Sequence, residues 1–428
     1  MAKNTSVALR NKMIYSIFPR NYTDNGGFNA IKNDLSRIKD LGTDVVWLMP
    51  IYPVGQKNRK GSLGSPYAIS DYRAINPELG TMSDFVELCN AIHDQGMKVI
   101  IDIVYNHTSP DSELLSAHPD WFYHHSDGSL GNRVADWSDI IDLDYQNHDL
   151  WQYQIDTLKK WAQYVDGFRC DVAPLVPLDF WLNARESLEE YKPGLIWLAE
   201  SNDPEFIKHV RDAGFDDLSD SELYQAFDMV YDYDVLDDLH ATVAGNRSLG
   251  EFSRILQRQD IIYPKNYVKM RFLENHDVPR AADYISGDRA LRNMLAFSLF
   301  EKGSSLIYAG EEFGNEHTPS LFDKDPVQLS GRYDFSDLIK GMMDLKHGQA
   351  DLFTKGAYDV VDTNDNVVQL SYKYHNHQIV GYFAIHPFKG TIKVNMENGL
   401  YENCLTNSAI NVENHELVFD GEPVIIIS

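Results

Sequence analysis

The sequence predicts an α/β fold: a (β/α)8 TIM barrel with an inserted lobe after its third strand and a C-terminal antiparallel β-sandwich domain. Three observations carry that expectation. From Met13 to about Asp351, short apolar β-branched runs alternate with amphipathic helical stretches, the rhythm of βα units around a parallel sheet. The rhythm breaks between Tyr105 and Asp149, a stretch rich in His, Asp, Gly, Ser and aromatic residues and far longer than a βα connection needs. Beyond Asp351 the apolar residues alternate with a period of two. A length of 428 residues suits one barrel with insertions plus a satellite domain.

The elements follow in order. Met13 to Phe18 reads as strand one; Phe28, Ile31, Leu35, Ile38 and Leu41 then recur at helical spacing until Gly42 stops the helix. Val45 to Leu48 supplies strand two. Phe85, Leu88 and Ile92 mark a helix ended near Gly96, and Val99 to Val104 is strand three, nearly all apolar as a strand buried on both faces should be. Past the break, Leu150 to Val165 restores a helix, Gly167 to Cys170 is a strand, Phe180 to Tyr191 a helix and Ile196 to Ala199 a strand. Ala226 to Val230, Val268 to Leu273 and Ser305 to Tyr308 complete eight strands. The tail alternates through Val361 to Tyr374, Ile379 to Ile385 and Gly390 to Met396, with turn-forming Asn, Asp and Gly between. The expected organisation is therefore a barrel over 1–104 and 150–350, a lobe over 105–149 and a β-domain over 351–428.

Composition narrows the function. With 43% hydrophobic residues there is ample material for a core, and no uninterrupted apolar run approaches the length of a membrane span. The segment Met1 to Lys12 lacks the apolar region of a secretory signal, and Cys89, Cys170 and Cys404 are too few and too far apart for a zinc site or a disulfide framework. The cytoplasm is the expected compartment. A net charge of −26 repels phosphate backbones and anionic lipid, so no nucleic-acid or membrane partner is expected and a neutral substrate fits.

Four of the strands run into polar residues suited to catalysis: D-I-V-Y-N-H at Asp102 to His107, G-F-R-C-D at Gly167 to Asp171, I-W-L-A-E at Ile196 to Glu200 and F-L-E-N-H-D at Phe272 to Asp277. A parallel barrel gathers its strand ends on one face. Two carboxylates across a glycosidic bond cleave it through an oxocarbenium-like transition state, and Asp171 and Glu200 are the best pair for nucleophile and proton donor. Arg169 shares a strand face with Asp171 and is expected to lower its pKa, whereas Glu200 must stay protonated, through desolvation or a negative neighbour such as Asp277. Cys170 points to the opposite strand face and reads as a small buried filler. Trp121, Phe122, Tyr123, His124, His125 and Trp137 are candidates to line the cleft, with packing of the lobe the expected use of most of them.

In this order and with every signature polar residue present, the four segments resemble the signature regions of the alpha-amylase family, glycoside hydrolase family 13. The resemblance implies Asp171 as nucleophile, Glu200 as general acid/base and Asp277 as transition-state stabiliser. It implies that Arg169 positions Asp171, that His107 and His276 hydrogen-bond the sugar on the non-reducing side of the scissile bond, and that Tyr67, in S-P-Y-A-I-S-D-Y, stacks beneath it. Asp102 and Asn106 resemble the family's supporting residues, with Asp102 serving the substrate site or pairing with Arg169. Ser304 to Gly314 resembles the strand-eight segment, and Asp142 to Tyr145 the segment that closes the inserted lobe, domain B.

Two departures direct the expected substrate. Endo-acting alpha-amylases place Lys and His three and four residues after the nucleophile, and here those positions are Pro174 and Leu175. Asp171 to Trp181, D-V-A-P-L-V-P-L-D-F-W, is similar instead to the neopullulanase and cyclomaltodextrinase group, whose N-terminal domain has no room before Met13. The expectation is a compact retaining hydrolase of α-1,4-linked maltodextrins or starch-like oligosaccharides. A transglycosylase or a sucrose- or trehalose-active relative is the alternative, and a non-catalytic binding barrel a third reading. The resemblance also implies calcium, with Asn106 as one oxygen ligand and further oxygens from domain B. The acidic loop Asp24 to Gly27 lacks the later carboxylates of the family's other calcium site, and no organic cofactor is expected.

Overall fold

The computed structural model of the chain describes residues 4–134 and 137–428. Met1, Ala2 and Lys3, part of the stretch read for a signal, and Ala135 and Asp136 of the lobe lie outside the described residues. Eight parallel strands close into a barrel: β1 (Met13–Ile17), β2 (Val45–Leu48), β3 (Lys98–Ile103), β4 (Gly167–Cys170), β5 (Ile196–Ala199), β6 (Met229–Tyr231), β7 (Lys269–Arg271) and β8 (Ser304–Tyr308). Each pairs in parallel with its sequence neighbours, and β8 returns to β1 with Met13 opposite Ser305. Strands one to five lie between the barrel interior and the helical ring, and apart from Lys98 at the start of β3 all their residues are buried.

The helices pack through the faces their spacing predicts. In α1 (Gly27–Asp40), Phe28, Ile31, Leu35 and Ile38 are buried, and α2 (Met82–Asp94) starts with a reciprocal cap between Thr81 and Asp84. Gly42 ends the first unit at φ 90°, where any Cβ would meet Met343 Cβ at 2.5 Å, so the position requires glycine. Further along the ring lie α3 (His148–Ala162), α4 (Leu178–Tyr191), α5 (Pro204–Asp212), α6 (Tyr233–Val243) and α7 (Leu249–Ile262), then α8 (Asp288–Phe300) and α9 (Ser336–Gly348).

One strand differs from its sequence expectation. The run Ala226 to Val230 enters the sheet only at Met229. Ser219 and Glu222 cap a short helix upstream, and the N–H groups of Ala226 and Phe227 both bond Leu223 O at 2.9 Å, so the turn uses up the first residues. Tyr231 consequently ends a strand and projects into the barrel.

Between β3 and α3 the chain makes only short elements, of which the ribbon His107–Thr108 paired antiparallel with Ile141–Asp142 is the root. The tail forms two antiparallel sheets. One runs β9 (Ala357–Asp362), β10 (Val367–Tyr374), β11 (His377–Ala384) and the last strand, β16 (Val424–Ile427); the other orders β12 (Gly390–Lys393), β15 (Glu416–Phe419), β14 (Ala409–Glu413) and β13 (Gly399–Glu402). Alternation assigns the faces of the first sheet. Val367, Val380, Tyr382 and Ile426 meet Ile392, Val412, Leu417 and Phe419 of the second sheet in a sandwich core. Val368, Leu370, Tyr372 and Phe383 join the barrel core instead, where Phe300 of α8 lies 5.6 Å from the Tyr372 ring and 5.4 Å from Phe383. Each such buried aromatic contributes about 1.5–3 kcal/mol, which anchors the β-domain to the barrel.

Candidate active site

The site begins with two neighbouring strands in register. Asp102 on β3 lies opposite Arg169 on β4, and both side chains are fully buried inside the barrel. Arg169 Nη1 donates to Asp102 Oδ1 at 2.8 Å and to Asp171 Oδ1 at 2.7 Å, while Nη2 lies 2.7 Å from Glu200 Oε1. One guanidinium therefore serves three carboxylates, the last two emerging at the ends of β4 and β5. Its Nε donates to the Tyr231 hydroxyl at 3.1 Å, and the Trp47 and Tyr67 rings lie against its π-face at 5.1 and 5.6 Å.

The electrostatics follow from that crowding. Burial pushes Asp102 and Asp171 up to about 6 against the pull of Arg169. This corrects the expectation that Arg169 holds the Asp171 pKa below the ordinary range: removing the carboxylate from water outweighs one cation shared three ways. Glu200 is raised further, to about 8, chiefly by burial and then by the charges of Asp171 and Asp277, with Arg169 and the Val172 N–H opposing. At neutral pH one carboxyl of the pair is ionised and the other protonated.

Val172 holds Glu200 from a second side. It adopts a left-handed backbone at φ 34° and ψ 46°, and its N–H donates to Glu200 Oε2 at 2.7 Å. Asp171 Oδ1 is held by Arg169, but Oδ2 has only His107 Nε2 near it, at 3.9 Å. Burial lowers the His107 pKa to about 4. Because Asn106 Nδ2 faces His107 Nδ1 at 3.3 Å, the neutral ring carries its proton on Nε2, toward Asp171.

His276 and Asp277 form the opposite rim. His276 Nε2 lies 3.0 Å from Asp277 Oδ2 and 2.6 Å from the Tyr67 hydroxyl, and the two rings stack 5.5 Å apart. Burial disfavours charge on both members, but their mutual attraction prevails, raising the His276 pKa and lowering that of Asp277. Asn275 fixes the turn, its Oδ1 accepting the N–H groups of Asp277 and Val278 and its Nδ2 donating to Tyr233.

These groups surround a cleft of about 590 Å³ lined by Tyr67, His107, Asp171, Glu200, Tyr233 and Asp277, with a wall from domain B. A larger depression of about 850 Å³ opens beside Lys12, Lys98 and Ile196, at the N-terminal ends of the strands and away from these carboxylates. The C-terminal end is the chemical face. Of the residues expected to contact substrate, Tyr67, His107 and Asp277 reach the cleft. The side chains of Arg169 and Asp102 are wholly enclosed, and that of His276, 1% exposed, lies against Tyr67 and Asp277. Asn106 is buried behind His107, at the root of domain B.

Several site residues escape sequence reading. Tyr231 and Tyr233, in Y-D-Y-D at the end of β6, are hidden by the misplaced strand. Trp137, one of the aromatic residues weighed between cleft and lobe packing, does line the cleft and stacks on Phe206 of α5, centroids 6.4 Å apart and planes 24° apart. Lys60 and Asp139 close the same wall as an ion pair at 2.8 Å.

The family model for the alpha amylase catalytic domain matches residues 15–351, and that for the bacterial alpha amylase C-terminal domain matches residues 359–426. The chain is 31% identical over 317 residues to alpha-amylase MalA of Haloarcula japonica, an alignment covering 71% of this chain but 44% of MalA, so it spans less than half that relative. A crystal structure of an alpha-amylase from Lactobacillus plantarum superposes with a TM-score of 0.96 at 48% identity, covering 99% of this chain and 100% of that one. The noncanonic maltogenic alpha-amylase AmyB from Thermotoga neapolitana gives 0.86 at 33% identity, covering 98% and 99%.

Proposed function

The chain belongs to the alpha-amylase family, and from that premise we propose that it is a glycoside hydrolase cleaving α-1,4-glucosidic bonds of maltodextrins and other short α-glucans with retention of configuration. The observation that carries this reading is the single Arg169 guanidinium bound to both Asp171 and Glu200. Carboxyls held by one guanidinium are close together, as suits the roughly 5 to 5.5 Å of retaining enzymes better than the 6.5–9.5 Å that admits a water in inverting ones. Their pKa values, about 6 and about 8, divide the roles.

In the proposed cycle Asp171 Oδ2, the oxygen not held by Arg169, attacks the anomeric carbon. Glu200 delivers its proton to the glycosidic oxygen as the C–O bond breaks, and the leaving sugar departs with that proton. The glycosyl ester on Asp171 is then attacked by a water whose proton returns to Glu200, restoring both groups. Asp277, charged through His276, accepts hydrogen bonds from sugar hydroxyls as the oxocarbenium character grows, His107 donates from Nε2, and Tyr67 offers a ring face to the apolar side of the sugar.

The preference for short substrates rests on the acceptor side of the cleft. Where a long-chain enzyme presents polar groups after the nucleophile, Leu175 packs with Val134 and Val210 in a cluster that includes Val172, Trp137 and Phe206. An aromatic wall grips one sugar ring by stacking. The same wall favours a second reading, transfer of the glycosyl group to a sugar held there. Free Cys89 and Cys170, both buried, suit the proposed cytoplasmic location.

The test is a panel of starch, pullulan, cyclodextrin, maltotriose, isomaltose, sucrose and trehalose with products resolved by chain length, and NMR of the first-formed anomer. Turnover of maltotriose to α-configured products is expected. An initial β-anomer, or activity confined to sucrose or trehalose, refutes the proposal.

A further inference from the structure

We infer that the guanidinium of Arg133 is the built-in cation of the joint between domain B and the barrel, so that this joint works without calcium. The inference does not depend on the substrate proposed above. It starts from the oxygens around Asn106. Asp142 is almost fully buried; its Oδ1 accepts from Asn106 Nδ2 at 3.3 Å, and its Oδ2 accepts the Arg133 backbone N–H at 2.8 Å and lies 3.5 Å from Arg133 Nε. Arg133 Nη2 donates to Leu143 O at 2.5 Å and Nη1 to Leu175 O at 3.5 Å. One planar side chain thus binds a carboxylate and two carbonyls from two segments: the strand that closes domain B and the turn that follows Asp171. The Leu143 N–H in turn bonds Asn106 O at 2.9 Å, which ties the joint to the end of β3.

The residues present do not fit a divalent ion. Calcium takes six to eight oxygens at 2.3–2.6 Å, several of them carboxylates. Asp142 is the carboxylate that Asn106 and Arg133 contact here, and no group of three or more His, Cys, Asp or Glu able to hold a metal occurs among the described residues. Asn106 turns its amide N–H, not its oxygen, toward Asp142, so the two side chains are joined by a hydrogen bond and not through a shared ion. The fixed positive charge of Arg133, with side-chain exposure of only 20%, already faces the carboxylate. A guanidinium suits the task because its fork of donors meets several acceptors in one plane, which an ammonium cannot do.

Thermal unfolding of the whole chain after exhaustive EDTA dialysis, with and without about 5 mM calcium, a concentration above the weakest dissociation constants of oxygen-ligated calcium sites, tests this. The wild-type midpoint is expected to be the same in both. Arg133→Met is expected to lower it by about 5 °C, since it leaves a buried carboxylate unpaired, and calcium should not restore it, since the joint lacks the oxygens of a calcium site. Arg133→Lys retains a charge and covers the case in which the methionine variant fails to fold; its midpoint should fall between those of wild type and the EDTA-treated methionine variant, or simply below wild type if the latter is unfolded. The inference is overturned if calcium stabilises the wild type, if either variant matches the wild-type midpoint, or if calcium restores the midpoint of a folded Arg133→Met.

Discussion

Val172 and Glu200 are joined by a 2.7 Å hydrogen bond from the Val172 N–H to Glu200 Oε2, made from left-handed backbone that a β-branched residue rarely adopts. Such a conformation costs on the order of 1–3 kcal/mol. It is sustained by the cluster beneath it, in which Val172 packs with Leu175, Val210, Trp137 and Phe206. The left-handed turn directs an N–H at Glu200, the carboxyl proposed as acid/base, so the apolar wall that shapes the cleft also fixes the position of that carboxyl.

The first prediction concerns pH. Asp171 must be ionised and Glu200 protonated, so kcat/KM should be bell-shaped, with limbs near the values of about 6 and about 8. Glu200→Gln should abolish the basic limb. Stability carries the same signature: with folded pKa values above the unfolded ones, these groups contribute most in acid below the ordinary carboxylate range, and that contribution fades as pH rises through about 8. The unfolding midpoint of Glu200→Gln should therefore fall less steeply with pH than that of the wild type.

Asp171→Asn and Glu200→Gln should each lower kcat on maltotriose by about 10³-fold or more while leaving circular dichroism intact. A glycosyl fluoride separates the two, because fluoride leaves without a proton. Glu200→Gln should release about one fluoride per enzyme in a burst and turn over maltosyl fluoride only with added azide, a nucleophile that needs no base, whereas Asp171→Asn should do neither; the reverse pattern would exchange the assigned roles.

Removing Arg169 strands three buried carboxylates. Arg169→Met is expected to cost about 3–5 kcal/mol of stability, as breaking a buried ion pair does. Adding Asp102→Asn should recover part of that loss, since Asp102 loses its need for a partner, but none of the activity, since Asp171 and Glu200 remain unheld. Denaturant titrations of the single and double variants measure the recovery, and a fully additive pair would show that the network is not shared.

Trp137→Ala should raise KM for maltotriose and weaken transfer to added glucose by about 2- to 10-fold, the range set by about 0.5–1.5 kcal/mol of lost ring stacking. Its kcat on maltosyl fluoride, whose leaving group makes no contact with the acceptor side, should change little. Equal losses on both substrates would assign Trp137 to fold stability instead.

Much of this was legible in the chain because it rests on local periodicity. The strands Val45–Leu48, Gly167–Cys170 and Ile196–Ala199 coincide with their sequence expectations to the residue, since an apolar run bounded by helical spacing has little freedom in where it enters the sheet. The strand ending at Tyr231 was misread because a capped turn competed for Ala226 and Phe227, a contest decided by side chains several positions upstream. Asp171 and Glu200 were legible because a barrel places the residue after each strand on one face.

The sequence by itself determined the barrel, its two additions and the carboxylates at the ends of β4 and β5, because periods of 3.6 and 2 dictate which side chains are buried and the parallel strands dictate where the polar ones gather. Only the tertiary structure decided how those carboxylates behave. The raised pKa values of Asp171 and Glu200 arise from burial around one shared arginine, the aromatic wall from Trp137 meeting Phe206 of α5, and the joint of domain B from Arg133 reaching Leu175. Each depends on the dielectric environment and on contacts between segments far apart in the chain, quantities that no local pattern of residues encodes.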